Sequence, residues 1–274
     1  MPFARGMHPP DNPSADPYLF LFRQDKLLVI KTPDTATVPR ESDLAGLDLR
    51  IEEKTYIGML DSACCYCGAC EVGADPVVQG DTFVFSALRP LLGTFGEELF
   101  TIAGLASQIV RWQRTHRYCG RCGNRTAASE NERSYVCKNC DLVSYPRISP
   151  AIIVAVVRDD KILLARAERF PPGLYSVLAG FVEPGESLEE CLAREVHEEV
   201  GIAVTGVTYF GSQPWPFPNS LMIAFTARYA GGEIVPDPSE IVDAGWFERE
   251  RLPEIPYHGT ISRRLIDWFV SSQV

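Results

Sequence analysis

Three glutamates, Glu195, Glu198 and Glu199, fall within a five-residue stretch that follows Arg194 directly. At about 100° per helical residue, Glu195 and Glu199 lie ~40° apart and Glu198 ~60° to the other side of Glu195. A helix would therefore gather three carboxylates on one side. Like charges so close weaken a helix. Divalent cations with oxygen ligands are the natural compensation. A merely solvated acidic face would set the glutamates opposite the apolar stripe. Leu188, Leu192, Val196 and Val200 instead step by four along the adjoining stripe, which puts the carboxylates at the margin of the buried face.

The elements that hold these groups can be read from the flanking residues. Ser187 and Glu190 make an S-x-x-E capping box, so the helix should start just after Ser187. Gly201 should stop it. Arg194 can reach back to Glu186 and fix the glycine-rich loop before the helix.

A second chemistry-bearing set is Cys119-Gly120-Arg121-Cys122 and Cys137-Lys138-Asn139-Cys140. Two CxxC turns at this spacing close a tetrahedral four-thiolate zinc site, which leaves no open position and is structural. The competing readings are two disulfides or four core thiols. His116 reads as a surface histidine. A third segment, Ser212-Gln213-Pro214-Trp215-Pro216-Phe217-Pro218-Asn219-Ser220, has alternating prolines that hold an extended backbone and present its aromatic rings in fixed directions. Such rings can stack on flat bases. Read alone, the segment also suits a proline-rich turn with core aromatics.

The chain has 274 residues, 46% hydrophobic and 23% charged, which suggests about two domains and argues against a mostly disordered chain. No apolar run is long enough for a membrane helix, and the start has no secretory h-region. The net charge of −10 argues against broad binding to nucleic acid, although Arg111, Arg114, Arg117, Arg121 and Arg125 form a local basic patch. Nine cysteines without a secretory signal favour reducing cytosol over a disulfide framework. Residues 1–17 read as a mobile arm, 18–115 as a small α+β domain closed by a helix over Leu99–Thr115, and 116–145 as the cysteine module. From 146 to 274 the order β-β-loop-α-β-β-β-α indicates an α/β domain with a mixed sheet rather than a doubly wound one. No internal repeat is visible. In the run that holds Cys64, Cys65, Cys67 and Cys70, the three-apart Cys64, Cys67 and Cys70 invite a second metal site, but a strand using cysteine as a small hydrophobe is the plainer reading.

The segment from Gly180 to Ile202 resembles the Nudix box, G-x5-E-x7-R-E-U-x-E-E-x-G-U, at Gly180, Glu186, Arg194, Glu195, Val196, Glu198, Glu199, Gly201 and Ile202. With the S-Q-P-W-P-F-P-x-S segment and a zinc ribbon directly before the box, the chain resembles the NADH pyrophosphatase (NudC-like) family. The resemblance implies a Nudix fold, a mixed sheet between helices, preceded by the ribbon and the small N-terminal domain. It implies metal-dependent hydrolysis of NAD(H) to nicotinamide mononucleotide and AMP, removal of NAD caps from RNA 5′ ends, and a homodimer.

Carried over by position, the resemblance implies that Glu195, Glu198, Glu199, Glu240 and the Ala179 carbonyl hold two or three Mg²⁺ or Mn²⁺ ions, with Glu199 orienting or deprotonating water. Tyr145 and Phe181 are expected to sandwich the nicotinamide, one from each subunit. Gln213, Pro214, Trp215, Pro216, Phe217, Pro218, Asn219 and Ser220 are expected to line the substrate. Glu132, Ser262 and Arg89 are further candidate contacts, and Ser262 departs from the alanine common in the family. The alternatives are a Nudix hydrolase of ADP-ribose or another nucleoside diphosphate derivative, and a non-catalytic zinc-ribbon nucleotide or RNA sensor.

Overall fold

The computed structural model describes residues 2–12, 16–33, 35–72 and 82–272. It divides into two compact units, Met1–Arg147 and Ile148–Val274. The first unit holds β1 (Ala4–Arg5), β2 (Tyr18–Arg23), β3 (Lys26–Lys31), β4 (Ala36–Thr37), β5 (Leu49–Leu60), β6 (Ala63–Val72), β7 (Phe83–Ala87), α1 (Glu97–Thr115), β8 (Thr126–Ala128), β9 (Tyr135–Cys137) and β10 (Val143–Ser144). The second holds β11 (Ser149–Arg158), β12 (Lys161–Ala167), β13 (Leu178–Phe181), α2 (Leu188–Val200), β14 (Ala203–Trp215), β15 (Ser220–Gly231), β16 (Ile241–Glu248) and α3 (Ile261–Ser271).

In the second unit the sheet order is β14-β15-β11-β12-β16, with β13 also on β11. The β11–β15 pair is parallel and the other pairs are antiparallel, so the sheet is mixed. Residues 151–157 of β11 are buried without a break, the pattern of a strand covered on both faces. Ile152, Val154 and Val156 pack with Leu192, Val196 and Val200 of α2. Ile153, Ala155 and Val157 pack with Leu265, Ile266 and Phe269 of α3. Alternation along one strand thus builds a core on each side. The helix α2 starts after Ser187 through the expected capping box and ends at Gly201, whose φ of 77° is the left-handed conformation of a helix stop.

The first unit repeats this plan. Its order β5-β6-β2-β3 matches β14-β15-β11-β12. In both, the first hairpin sends one strand into a parallel pair, β2 with β6 and β11 with β15. In both, a later strand lies against the hairpin's second strand, β7 on β3 and β16 on β12, and a 3-10 turn and a closing helix follow. What differs is the connection into β5, where the 3-10 turn Ser42–Leu44 stands in place of a helix like α2. An internal repeat therefore exists that the sequence does not display. The carboxylate-bearing helix, the one segment with a strong signature, is the part missing from the first copy.

Part of the expected mobile arm is an ordered edge strand. Ala4 and Arg5 pair with Met59 and Gly58, and the Phe3 N–H donates to Glu98 Oε1 at 2.6 Å. Gly58 makes this possible: a Cβ there would stand 2.3 Å from the Ala4 carbonyl oxygen. Met1 and residues 13–15 of the arm lie outside the described residues. Cys64, Cys65, Cys67 and Cys70 are buried in β6, and burial pushes the Cys65 and Cys67 thiols up to about 12. Of the arginine patch, Arg111 pairs with Asp25 at 3.3 Å, Arg117 pairs with Glu52 at 2.5 Å, and Arg114 donates to the Gln24 carbonyl.

Candidate active site and metal centre

The catalytic candidates gather where α2 meets β13. Gly180 faces Ile152 across the β11–β13 ladder. A Cβ at Gly180 would lie 1.8 Å from the Glu195 carboxyl carbon, so only glycine leaves room for that carboxylate against the strand. Ala179, the preceding residue, pairs with Ile153. Phe181, the following one, turns its ring outward, 57% exposed, while its carbonyl accepts from Arg194 at 3.0 Å and from the Cys191 thiol at 3.4 Å.

Arg194 is the clamp of the loop. Its Nε and Nη2 donate to Glu186 at 2.5 and 2.8 Å, and its Nη1 donates to Glu195 at 2.9 Å and Glu198 at 3.0 Å. This fork, with the Glu183 backbone N–H, holds the Glu186 carboxyl down at about 2. The expected reach of Arg194 back into the loop is what the structure shows.

The three helix carboxylates occupy different environments. Glu198 is exposed, and Glu195 is partly buried. Burial raises the Glu195 pKa, with Glu198 and Glu240 adding to it and Arg194 opposing it. Glu199 is 8% exposed. Burial pushes it up to about 8, helped by the charges of Glu195 and Glu240 and opposed by Arg169. Its Oε2 is buried without a hydrogen-bond partner. Glu240 ends a turn tied to the helix: the Asp237 N–H donates to the Glu199 carbonyl at 2.9 Å, and the Glu240 N–H to the Asp237 carbonyl at 3.1 Å. An orphaned buried carboxylate oxygen among mutually repelling carboxylates fits a hard divalent cation with oxygen ligands. Among the described residues these carboxylates do not close into a tight ligand cluster, as repulsion and the hold of Arg194 dictate.

The proline segment forms the end of β14 and the turn into β15, with the Trp215 and Phe217 rings 4.9 Å apart in a T-shaped pair. Pro214 and Trp215 pair with Leu221 and Ser220; β14 is an edge strand, where proline costs no ladder bond. Pro216 and Pro218 lie in the turn, and the Phe217–Pro218 peptide is cis. Asn219 Nδ2 donates to Ser149 Oγ, and Ser220 is buried. Gln213 is engaged at both ends of its amide: it donates to the Gly259 carbonyl and accepts from the Ile261 N–H, both at 2.8 Å, which anchors the start of α3. Ser262, in that first turn, meets Thr260 Oγ1 at 3.0 Å.

Arg89, Glu132 and Tyr145 belong to the first unit. Arg89 opens the 3-10 turn Arg89–Gly93. The Tyr145 hydroxyl donates to Glu132 Oε1 at 3.0 Å, and its ring is exposed. Sequence reasoning missed two features of the second unit: the steric reason for Gly180 and the opposing charge that Arg169 exerts on Glu199. An isolated glycine inside a strand is the signal that could have found the first.

The four ribbon thiols converge. Their Sγ atoms all lie within 4.8 Å of one another, with 3.5 Å between Cys119 and Cys140 and between Cys122 and Cys137. Zinc bonds of about 2.3 Å in a tetrahedron give sulfur–sulfur edges of about 3.8 Å. Disulfides, at about 2.05 Å, do not fit, and all nine cysteines are free. The Arg121 N–H donates to Cys119 Sγ at 3.3 Å, which favours a thiolate. The donor set fits a structural zinc ion.

Residues 147–269 match the model of the NUDIX domain, and residues 114–145 match that of the NADH pyrophosphatase zinc ribbon domain. Residues 17–112 match an NADH pyrophosphatase-like rudimentary NUDIX domain, in keeping with the repeated strand plan. An NAD-capped RNA hydrolase NudC of Pseudomonas fluorescens is 48% identical over 231 residues, 84% of this chain and 82% of the relative. One of Pseudomonas aeruginosa is 54% identical over 197 residues, 72% and 71% of the two chains. A NUDIX hydrolase structure from Nitrosomonas europaea aligns with a TM-score of 0.48 at 20% identity, covering 56% of this chain and 90% of that one. This chain belongs to the Nudix hydrolases, in the zinc-ribbon NADH pyrophosphatase (NudC-like) family.

Proposed function

We propose that this enzyme hydrolyses the pyrophosphate bond of NAD(H), giving nicotinamide mononucleotide and AMP, and removes NAD caps from RNA 5′ ends. The observation that carries this reading is the 48% identity to an NAD-capped RNA hydrolase over more than four fifths of both chains. The buried, unpartnered Glu199 oxygen beside Glu195 and Glu240 supports the metal-dependent part of it. Glu195, Glu198, Glu199, Glu240 and the Ala179 carbonyl are the proposed holders of two or three Mg²⁺ or Mn²⁺ ions. Bound there, such ions neutralise phosphate oxygens and lower the pKa of the attacking water.

The chain's own residues do the rest. Glu199 orients the water and takes its proton. The water oxygen bonds to one phosphorus, and the bridging oxygen leaves with its electron pair on the other phosphate. Arg194 holds the loop and the approach of Glu195 in register. Phe181 and the Gln213–Ser220 segment receive the dinucleotide, with Trp215 and Phe217 as stacking faces. The parts of Arg89, Glu132, Tyr145 and Ser262, and the homodimer, come with the family resemblance. Nine cysteines with no disulfide among them suit a reducing compartment such as the cytosol, and no helix among the described residues is long and apolar enough to cross a membrane.

The test is product analysis with NADH and, in parallel, ADP-ribose, each with Mg²⁺ or Mn²⁺ and with a chelator control. The expected products from NADH are AMP and reduced nicotinamide mononucleotide, formed only with metal. Cleavage of ADP-ribose without cleavage of NADH would discard the substrate assignment and keep the chemistry.

A further inference from the structure

The pyrophosphate of the proposed substrate is anionic, and the carboxylate cluster repels it. Arg194, the guanidinium nearest the box, has nothing left to offer. A guanidinium has five N–H donors, and five bonds from Arg194 run to Glu186, Glu195, Glu198 and the Phe181 carbonyl.

A turn that carries another cation is tied by backbone bonds to the Glu240 turn and the end of α2. Strand β12 ends at Ala167, and the Phe170 N–H donates back to the Ala167 carbonyl at 3.0 Å. This closes a tight turn with Glu168 and Arg169 at its tip. The Glu168 N–H donates to the Glu240 carbonyl at 3.4 Å. The Glu240 turn is itself tied through Asp237 to the Glu199 carbonyl. Three consecutive anchors therefore set the Arg169 turn beside Glu240 and the end of α2. Arg169 is exposed, its positive charge is felt by Glu199, and it makes no ion pair among the described residues. Its guanidinium lies 5.4 Å from the centroid of the Phe170 ring.

We propose that Arg169 binds the substrate pyrophosphate and neutralises the phosphate that leaves. This rests on the hydrolase reading above. As the anhydride bond breaks, charge grows on the departing phosphate, and a preplaced guanidinium stabilises that charge more than it stabilises the bound substrate. The planar fork suits two phosphate oxygens at once, which a lysine cannot match.

The test compares wild type, Arg169→Ala, Arg169→Lys and Glu199→Gln in steady-state hydrolysis of NADH and of ADP-ribose, with thermal unfolding of each. Arg169→Ala is expected to lose about 10²–10³-fold in kcat/KM, mostly in kcat, as for removal of one transition-state donor. Its unfolding midpoint should stay at the wild-type value. Added guanidinium should restore part of its turnover and none of that of Glu199→Gln, and Arg169→Lys should fall between Ala and wild type. Wild-type kinetics in Arg169→Ala would overturn the proposal. So would a loss matched by a lowered unfolding midpoint and not rescued by guanidinium, which would mark Arg169 as a packing residue on Phe170. A wild-type enzyme that cleaves only ADP-ribose would sink the NAD(H) reading. The Arg169 comparison would then be read on ADP-ribose, which shares the pyrophosphate.

Discussion

Glu199→Gln keeps the shape of the side chain and removes its charge, and the structure gives the size of the effect on stability. In the folded protein without divalent ions, burial and the neighbouring Glu195 and Glu240 lift the Glu199 pKa from 4.5 to about 8. Between those two pH values the folded chain keeps a proton on Glu199 that the unfolded chain has released. Stability therefore falls as pH rises through this window. Integrating the two titrations gives a loss of about 1 kcal/mol at pH 5 and at most about 4 kcal/mol at pH 7.5. The Gln variant has no such proton and escapes the loss. Glu195, also raised, is common to both proteins and cancels to first order.

The assay is denaturant unfolding of zinc-containing protein, freed of Mg²⁺ and Mn²⁺, at pH 5 and pH 7.5. The variant should gain about 3 kcal/mol on wild type between the two pH values. Adding Mn²⁺ should reverse the order at pH 7.5, because only wild type has the charged ligand. Turnover of the variant should fall by about 10²–10⁴-fold, the range for loss of a general base. A stability gap that does not change with pH would refute the burial account of Glu199, and wild-type turnover would refute its role.

Gly180→Ala should fold, since the glycine's backbone is ordinary strand, but its Cβ collides with the Glu195 carboxylate. A displaced Glu195 should lower turnover by about 10²-fold, read as kcat with circular dichroism unchanged; unchanged kcat would show that the carboxylate has room to spare. Cys137→Ser removes one fully buried thiolate of the four. Zinc content should drop from one per chain to none, and the near-ultraviolet signal of the stacked Trp112 and Tyr135 rings, 4.6 Å apart beside β9, should weaken. Stoichiometric zinc in this variant would exclude Cys137 as a ligand.

The helix that bears the carboxylates was legible because its signals are local. Ser187, Glu190 and Gly201 mark its ends, and the step of four from Leu188 to Val200 marks its buried face. The zinc site was legible for the same reason: each CxxC turn is self-contained. What stayed hidden depends on residues far apart in the chain. The parallel pairing of Ile153 with Ala224 has no local signature, and neither does that of Phe20 with Cys67. Without them the repeat cannot be seen. The need for Gly180 appears only when α2 is laid against β13. The closeness of the Arg169 turn to Glu240 rests on backbone bonds between distant segments, which leave no mark in the sequence. The Gln213 amide anchors α3, and no pattern in its own segment announces a partner more than forty residues away.

Two sheets of one design in a single chain create a hazard during synthesis, because a strand can be captured by the wrong half. Tandem domains misassemble in this way when their strands are interchangeable. Here they are not. The strand beside β2 carries one large side chain, Tyr66, among the small Cys64, Cys65, Cys67, Gly68, Ala69 and Cys70, and a Cβ on Gly68 would already press the Glu52 carbonyl at 3.0 Å and the Ile51 side chain at 3.1 Å. Its counterpart beside β11 carries Leu221, Met222, Ile223 and Phe225. Swapped inward, those side chains would overfill the first half. The small residues, swapped outward, would leave a void where Phe225 sits buried, a loss of about 3–5 kcal/mol for the ring alone. The buried cysteines, small as they are, thus make this strand a poor substitute for its counterpart in the other half.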